Sequence, residues 1–204
     1  MKALLVVDLQ VDFLPHGALA VQDGDLIIPV INAIQDRFDL IVATQDWHPL
    51  DHQSFASQHQ GKNQYDVIEL QGIPQVLWPD HCVQGTAGAA FSNAWNSTQV
   101  AAIFRKGMNK HIDSYSGFYD NNKVNTTGLL GYLKDKQVTE VYVCGLAAEF
   151  CVFYTARDAK EAGFKTYFLD FATKPISQAG LEQAKVELLK QEITVVSQVE
   201  ELTV

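Results

Sequence analysis

The sequence predicts an α/β protein: a three-layer α/β/α sandwich on a mostly parallel, six-stranded sheet. Six short apolar runs, at residues 3–7, 40–43, 100–104, 138–144, 165–169 and 193–196, have the length and composition of strands buried on both faces. Segments of helical period separate most of them, and that alternation argues for a parallel sheet with helices on both sides. Residues 46–99 break the pattern. They hold no long periodic segment and are rich in His, Trp, Pro, Gly, Gln and Asn, so they are expected to form a long functional insertion.

The elements follow in order. Residues 3–7 are continuously apolar and open the sheet. Residues 25–38 place Leu26, Ile27, Val30, Ile31, Ile34 and Phe38 on one helical face, with Asp23 and Asp25 near the positive end. The run at 40–43 is the second strand and that at 100–104 the third. Residues 126–136 read as a helix with an Asn/Thr cap signal, followed by the strand at 138–144. A helix over 149–162 ends at Gly163. The strand at 165–169, a helix over 177–191 and the strand at 193–196 complete the chain. Without repeats or a linker, the 204 residues are expected to form one domain, 1–204, with its insertion at about 46–99.

Bulk properties narrow the function. Apolar residues make up 47% of the chain, enough for one well-filled core. A net charge of −9 leaves no basic face for nucleic acid or anionic lipid. No run approaches the length of a membrane span, and the first residues lack a secretory pattern. Three cysteines fit no disulfide framework, which points to a reducing cytoplasm. The sequence does not specify the oligomeric state.

Asp8, Lys106 and Cys151 each stand just past, or at the end of, an apolar run or the turn that follows one. In a parallel sheet all three would share the carboxyl edge, where open α/β folds bind ligands. A carboxylate, an ammonium and a thiol meeting there suit nucleophilic catalysis by cysteine. Cys151 is expected in the first turn of a helix, where free N–H groups and the helix dipole favour a thiolate and offer donors to an oxyanion. The competing readings are a buried, inert Cys151 and a plain Asp8–Lys106 ion pair. Cys144 lies within a strand and is expected to be packing; Cys82 beside His81 is either a ligand or filler.

The insertion opens on Thr44-Gln-Asp46-Trp-His48-Pro-Leu-Asp51-His52, and Trp78-Pro-Asp80-His81-Cys82 lies near its far end. Asp46 and His48, two apart, can reach one ion from a loop, and His81 would complete a two-histidine, one-carboxylate set. Such a set leaves positions open for water or substrate and suits zinc, iron(II) or manganese. Asp51 and His52 are further candidates. His16, His59 and His111 read as ordinary surface or turn histidines.

These pieces together resemble one family. Val6-Val-Asp8-Leu-Gln-Val-Asp-Phe13, Thr44-Gln-Asp46-Trp-His48-Pro, Trp78-Pro-Asp-His81-Cys-Val, Phe104-Arg-Lys106-Gly, Asp113-Ser-Tyr115-Ser-Gly-Phe118 and Gly145-Leu-Ala147-Ala-Glu-Phe-Cys151-Val are similar to nicotinamidases of the pyrazinamidase type, within the isochorismatase-like cysteine hydrolases. The resemblance runs to about residue 170. It implies an isochorismatase-like, Rossmann-like fold and hydrolysis of nicotinamide through a cysteine thioester in NAD salvage, with side activity on pyrazinamide. It also implies a catalytic triad of Asp8, Lys106 and Cys151, and an oxyanion hole from the amides of Ala147 and Cys151 after a cis peptide bond. One divalent metal would sit on Asp46, His48 and His81, and the nicotinamide ring would pack on Phe13, Trp78 and Tyr115. Ala148-Glu149 departs from the family's usual Thr-Asp, and Phe150 adjoins the pocket. The alternatives are a related hydrolase of another small amide or carbamoyl compound, a metallohydrolase in which Cys151 only packs, and a non-catalytic binding module.

Overall fold

The computed structural model describes residues 1–202. Six parallel strands form the sheet: β1 (Lys2–Val7), β2 (Leu40–Asp46), β5 (Val100–Lys106), β6 (Glu140–Gly145), β7 (Lys165–Thr173) and β8 (Thr194–Val196). They lie in the order β5-β2-β1-β6-β7-β8. The chain fills one half of the sheet from β1 outward and then returns to β1's other side. The crevice for a ligand is expected at that reversal, between the carboxyl ends of β1 and β6.

Two apolar layers cover the sheet because successive side chains of β1 point to opposite faces. Leu4 and Val6 pack with α1 (Ile27–Ile34) and with the insertion, through Trp78, Cys82, Ala89 and Trp95. Ala3, Leu5 and Val7 pack with α2 (Leu129–Asp135), α3 (Phe153–Glu161) and α4 (Gln178–Lys190). Every β1 residue from Ala3 to Val7 is fully buried. Leu5→Ala is therefore expected to cost about 2–5 kcal/mol in urea unfolding, through lost transfer energy and a cavity. An unchanged urea midpoint would place Leu5 outside the core.

Several elements differ from the sequence expectation. The insertion contains an antiparallel hairpin, β3 (Val67–Leu70) and β4 (Ile73–Val76). Its two-residue turn, Gln71-Gly72, has φ of 52° and 79°, the left-handed pair that matches strand twist. α2 starts at Leu129 rather than 126: Gly128, at φ 91°, stops the helix, while Thr126 and Thr127 accept the amides of Gly128 and Leu129. β7 runs on to Thr173, past Asp170, where the apolar run ends. No helix of the described residues is long and apolar enough to cross a membrane.

Candidate active site

The strand registers bring the site together. Val7 pairs with Thr44 on one side and Gly145 on the other, so Asp8 emerges between β2 and β6. Asp46 and Lys106 are paired final residues of β2 and β5. A Cβ on Gly145 would stand 2.0 Å from the Val7 carbonyl oxygen, so only glycine lets the chain turn here so close to Asp8.

Lys106 Nζ is the junction. It lies 2.8 Å from Asp8 Oδ2, 3.0 Å from Asp46 Oδ1, 3.0 Å from the Ser114 carbonyl oxygen and 3.3 Å from Cys151 Sγ. Asp8 and Lys106 are almost wholly buried, as is Cys151 at 7% exposure. Burial pushes the Asp8 carboxyl up, against the pull of Lys106, and Asp46 adds to the rise. Burial opposes the Lys106 charge, yet Asp46 and Asp8 hold its pKa well above the usual lysine value. Burial also drives the Cys151 thiol well up, with Lys106 opposing and Asp8 reinforcing. A thiol so placed rests protonated, beside a carboxylate made more basic by the same burial.

Cys151 lies in a five-residue turn, Ala148–Val152, of π type rather than the expected first α-helical turn. Val152 N–H reaches back to the Ala147 carbonyl, widening the turn ahead of α3. The Leu146–Ala147 peptide is cis. The Ala147 N–H meets no backbone acceptor among the described residues. Glu149 accepts the amides of Ser177 (2.6 Å) and Ile176 (3.1 Å), and Ala148 N–H donates to the Lys174 carbonyl. The Ala148-Glu149 departure thus still bolts the turn to the segment after β7.

The donor set Asp46, His48, His81 also assembles, its ligand atoms all within 4.8 Å of one another. Nδ1 of His48 faces the Gly107 carbonyl at 3.0 Å and Nδ1 of His81 the Pro79 carbonyl at 2.8 Å. Carbonyls only accept, so each Nδ1 carries a proton, and in its neutral form each ring presents a lone pair at Nε2. Those lone pairs face Asp46 Oδ2 at 3.0 and 3.4 Å, and buried His48 Nε2 has no hydrogen-bond partner. Lone pairs converging on a carboxylate repel unless a cation lies among them, and a carbonyl accepting from the far ring nitrogen is a contact that typically orients a metal-binding histidine. Gln10 fixes Asp46 further: its side chain accepts the Asp46 N–H and donates to the Asp46 carbonyl, both at 2.8 Å. These residues fit a divalent metal.

His52 sits against His48, ring centroids 4.4 Å apart, but its Nδ1 accepts the Ser54 N–H at 3.1 Å. Its proton is therefore on Nε2, which has no lone pair for an ion. Burial, with His48 beside it, pushes its pKa down to about 4, so the ring is neutral. Asp51 is exposed and paired with Lys110, away from the site. Cys82 is buried beside His81 but outside both groups whose ligand atoms lie within 4.8 Å of one another, Asp46–His48–His81 and His48–His52–Asp113, and its amide donates to Asp12 Oδ2 at 2.7 Å. Cys144 is buried in β6 as packing.

A pocket opens beside these groups. Phe13, Trp78 and Tyr115 line it with Asp46, His81, Ala147 and Cys151. Phe150 meets Trp78 edge-on at 4.9 Å and Tyr115 at 5.6 Å, closing an aromatic box. Leu19, Asp113 and Ile176 also line the pocket and went unrecognised in the sequence. Only Asp113 had a signal there, two residues before Tyr115. Gln75, buried in the hairpin, donates to Tyr115 Oη (3.0 Å) and Asp113 Oδ2 (3.2 Å). Trp78 Nε1 donates to the same Tyr115 oxygen at 3.3 Å.

The isochorismatase domain family model matches residues 2–201. The nicotinamidase of Acinetobacter baylyi is 49% identical over 188 residues, 92% of this chain and 88% of that one. Among solved structures, a nicotinamidase/pyrazinamidase of Acinetobacter baumannii superposes with a TM-score of 0.96 at 46% identity, covering 98% of both chains. A Pyrococcus horikoshii pyrazinamidase in complex with zinc superposes at 0.79, with 38% identity over 97% of this chain and 99% of that one.

Proposed function

The chain belongs to the isochorismatase family, and we infer that within it the protein is a nicotinamidase, an amide hydrolase converting nicotinamide to nicotinate and ammonia in NAD salvage. Likeness over nearly the whole chain to nicotinamidases supports this reading. The observation that carries it is the junction of Asp8, Cys151 and Lys106 beside an aromatic pocket with metal-type donors. The whole chain acts as one domain, and its three free cysteines favour the reducing cytoplasm.

The roles follow from the chemistry of the groups. Asp8 takes the proton of the Cys151 thiol while Lys106 neutralises the charge passing between them. The thiolate attacks the amide carbon, and the N–H groups of Ala147 and Cys151 receive the oxyanion. One such donor typically contributes ~2.7–4 kcal/mol to the barrier. Asp8 returns its proton to the departing nitrogen, and ammonia leaves a nicotinoyl thioester. Asp8 then takes a proton from water, which attacks the thioester carbonyl, releases nicotinate and restores the thiol. Phe13, Trp78 and Tyr115 hold the ring, with Phe150 closing the box.

Asp46, His48 and His81 would hold one divalent ion, which when bound supplies a Lewis-acid anchor for the ring nitrogen. Zinc is the first candidate, by likeness to the Pyrococcus horikoshii protein; iron and manganese suit the same donors.

The direct test is release of ammonia and nicotinate from nicotinamide by the purified protein; failure to release either would overturn the assignment. A substrate panel refines it. Benzamide keeps the amide and the ring area but lacks the ring nitrogen, so its kcat/KM is expected to be at least about a hundredfold lower. Pyrazinamide keeps a nitrogen at the same distance and is expected to react. Equal turnover of benzamide and nicotinamide would show that the ring is not held through its nitrogen.

A further inference from the structure

Asp8 has two oxygens in different surroundings. Oδ2 faces Lys106 Nζ at 2.8 Å. Oδ1 accepts the Thr44 hydroxyl at 2.6 Å, with both residues wholly buried. Thr44 holds the Asp8 backbone as well, its carbonyl accepting the Asp8 N–H at 3.3 Å. Around the carboxyl stand Lys106 from β5, Asp46 from β2 and Cys151 from the turn after β6.

The Thr44 rotamer is itself held. A Cβ on Gly117 would come 2.6 Å from Thr44 Cγ2, so the methyl lies directly against the Gly117 backbone. That backbone is held by two hydrogen bonds: Gly117 N–H donates to Thr155 Oγ1 at 2.9 Å, and its carbonyl accepts the Thr127 hydroxyl at 2.6 Å. With the methyl placed against Gly117, the hydroxyl points at Asp8.

We propose that Thr44, its rotamer set by Gly117, is a positioning residue that confines the catalytic proton to Asp8 Oδ2. The inference rests on the nicotinamidase reading for Asp8's role and adds which oxygen does the work. A hydroxyl has one proton, and Thr44 gives it to Oδ1. A proton arriving on Oδ1 would take one of its lone pairs and its negative charge, and so weaken that buried hydrogen bond. The Cys151 S–H proton therefore moves to Oδ2, and from Oδ2 to the departing amide nitrogen. In the second half-reaction the proton of water takes the same place before returning to sulfur. Oδ2 is also the oxygen beside Lys106, so acceptance and neutralisation occur at one atom.

The test compares Thr44→Val, which keeps the shape without the hydroxyl, with Thr44→Ser, which keeps the hydroxyl without the methyl. Thr44→Val is expected to lower kcat on nicotinamide about ten- to a hundredfold, part of the ~10²–10⁴ supplied by a placed acid–base group. KM and metal content should hold. Thr44→Ser should recover most of the rate. Gly117→Ala should lower kcat as Thr44→Val does, by displacing the methyl, and the double variant Thr44→Ser/Gly117→Ala should regain activity because serine has no Cγ2. Alkylation of Cys151 by iodoacetamide gives a readout that needs no substrate, and Thr44→Val should slow it. Wild-type kcat and alkylation rate in Thr44→Val would overturn the proposal, as would a Thr44→Ser variant as impaired as Thr44→Val. An inactive wild type would speak against the nicotinamidase reading instead, and the alkylation comparison would still decide the role of Thr44.

Discussion

Cys151→Ala is expected to lower nicotinamide turnover by more than about a thousandfold, the scale on which covalent catalysis fails when its nucleophile is removed. The sulfur is 3.3 Å from the only ammonium at the junction, and no second thiol approaches it: Cys82 lies beside His81 and Cys144 is buried in the sheet. The substitution removes little volume at a 7% exposed position, so circular dichroism should be unchanged. Metal content should also hold, because Sγ is outside the Asp46, His48, His81 donor group. Cys151→Ser should be nearly as inactive, since a hydroxyl is far harder than a thiol for a carboxylate to deprotonate. Residual Cys151→Ala activity above about a thousandth of wild type would assign the chemistry to another nucleophile, such as activated water.

His81→Ala should strip the metal and lower kcat/KM for nicotinamide by about a hundredfold or more, while leaving the slow benzamide reaction almost untouched. The contrast between substrates is the informative part. If the histidine only supported the fold, both amides would lose activity together. If it anchors an ion that reads the ring nitrogen, only the substrate with that nitrogen suffers. Both rings are packed, His48 on His52 and Phe55 and His81 on Phe13 and Phe55, so the fold of the variant is checked by circular dichroism alongside its activity. Chelation of the wild-type protein should reproduce the result without a mutation, with the metal loss followed by elemental analysis. Unchanged metal stoichiometry in His81→Ala would remove it from the ligand set.

Much of this was legible in the sequence because parallel strands write themselves plainly. Each apolar run ends where the chain reaches the sheet's carboxyl edge, so Asp8 and Lys106 could be placed there from position alone. Asp46 and His48 were readable because a loop lets neighbours two apart converge. The hairpin was hidden by its own geometry: its four-residue strands are half exposed, and Pro74 within β4 reads as a strand breaker. Only Gly72 marked its turn. Asp170 concealed the end of β7, yet that end supports the nucleophile turn, since the Thr173 hydroxyl donates to the Gly145 carbonyl at 2.6 Å. The π-type turn at Cys151 carries no compositional signature that separates it from an α-helical start. The exclusion of His52 required knowing which atom faces its Nδ1. Gln75, Glu149 and Thr44 touch the site only through other residues, and contacts of that kind between segments far apart in sequence have no local pattern.

The most direct test of a nucleophilic Cys151 is rapid acid quench of the enzyme during turnover of nicotinamide, followed by mass spectrometry of its peptides. The peptide holding Cys151 is expected to gain the mass of one nicotinoyl group, and that adduct should vanish as substrate is exhausted. Steady release of nicotinate with this peptide never modified, or with the adduct on another residue, would contradict the account.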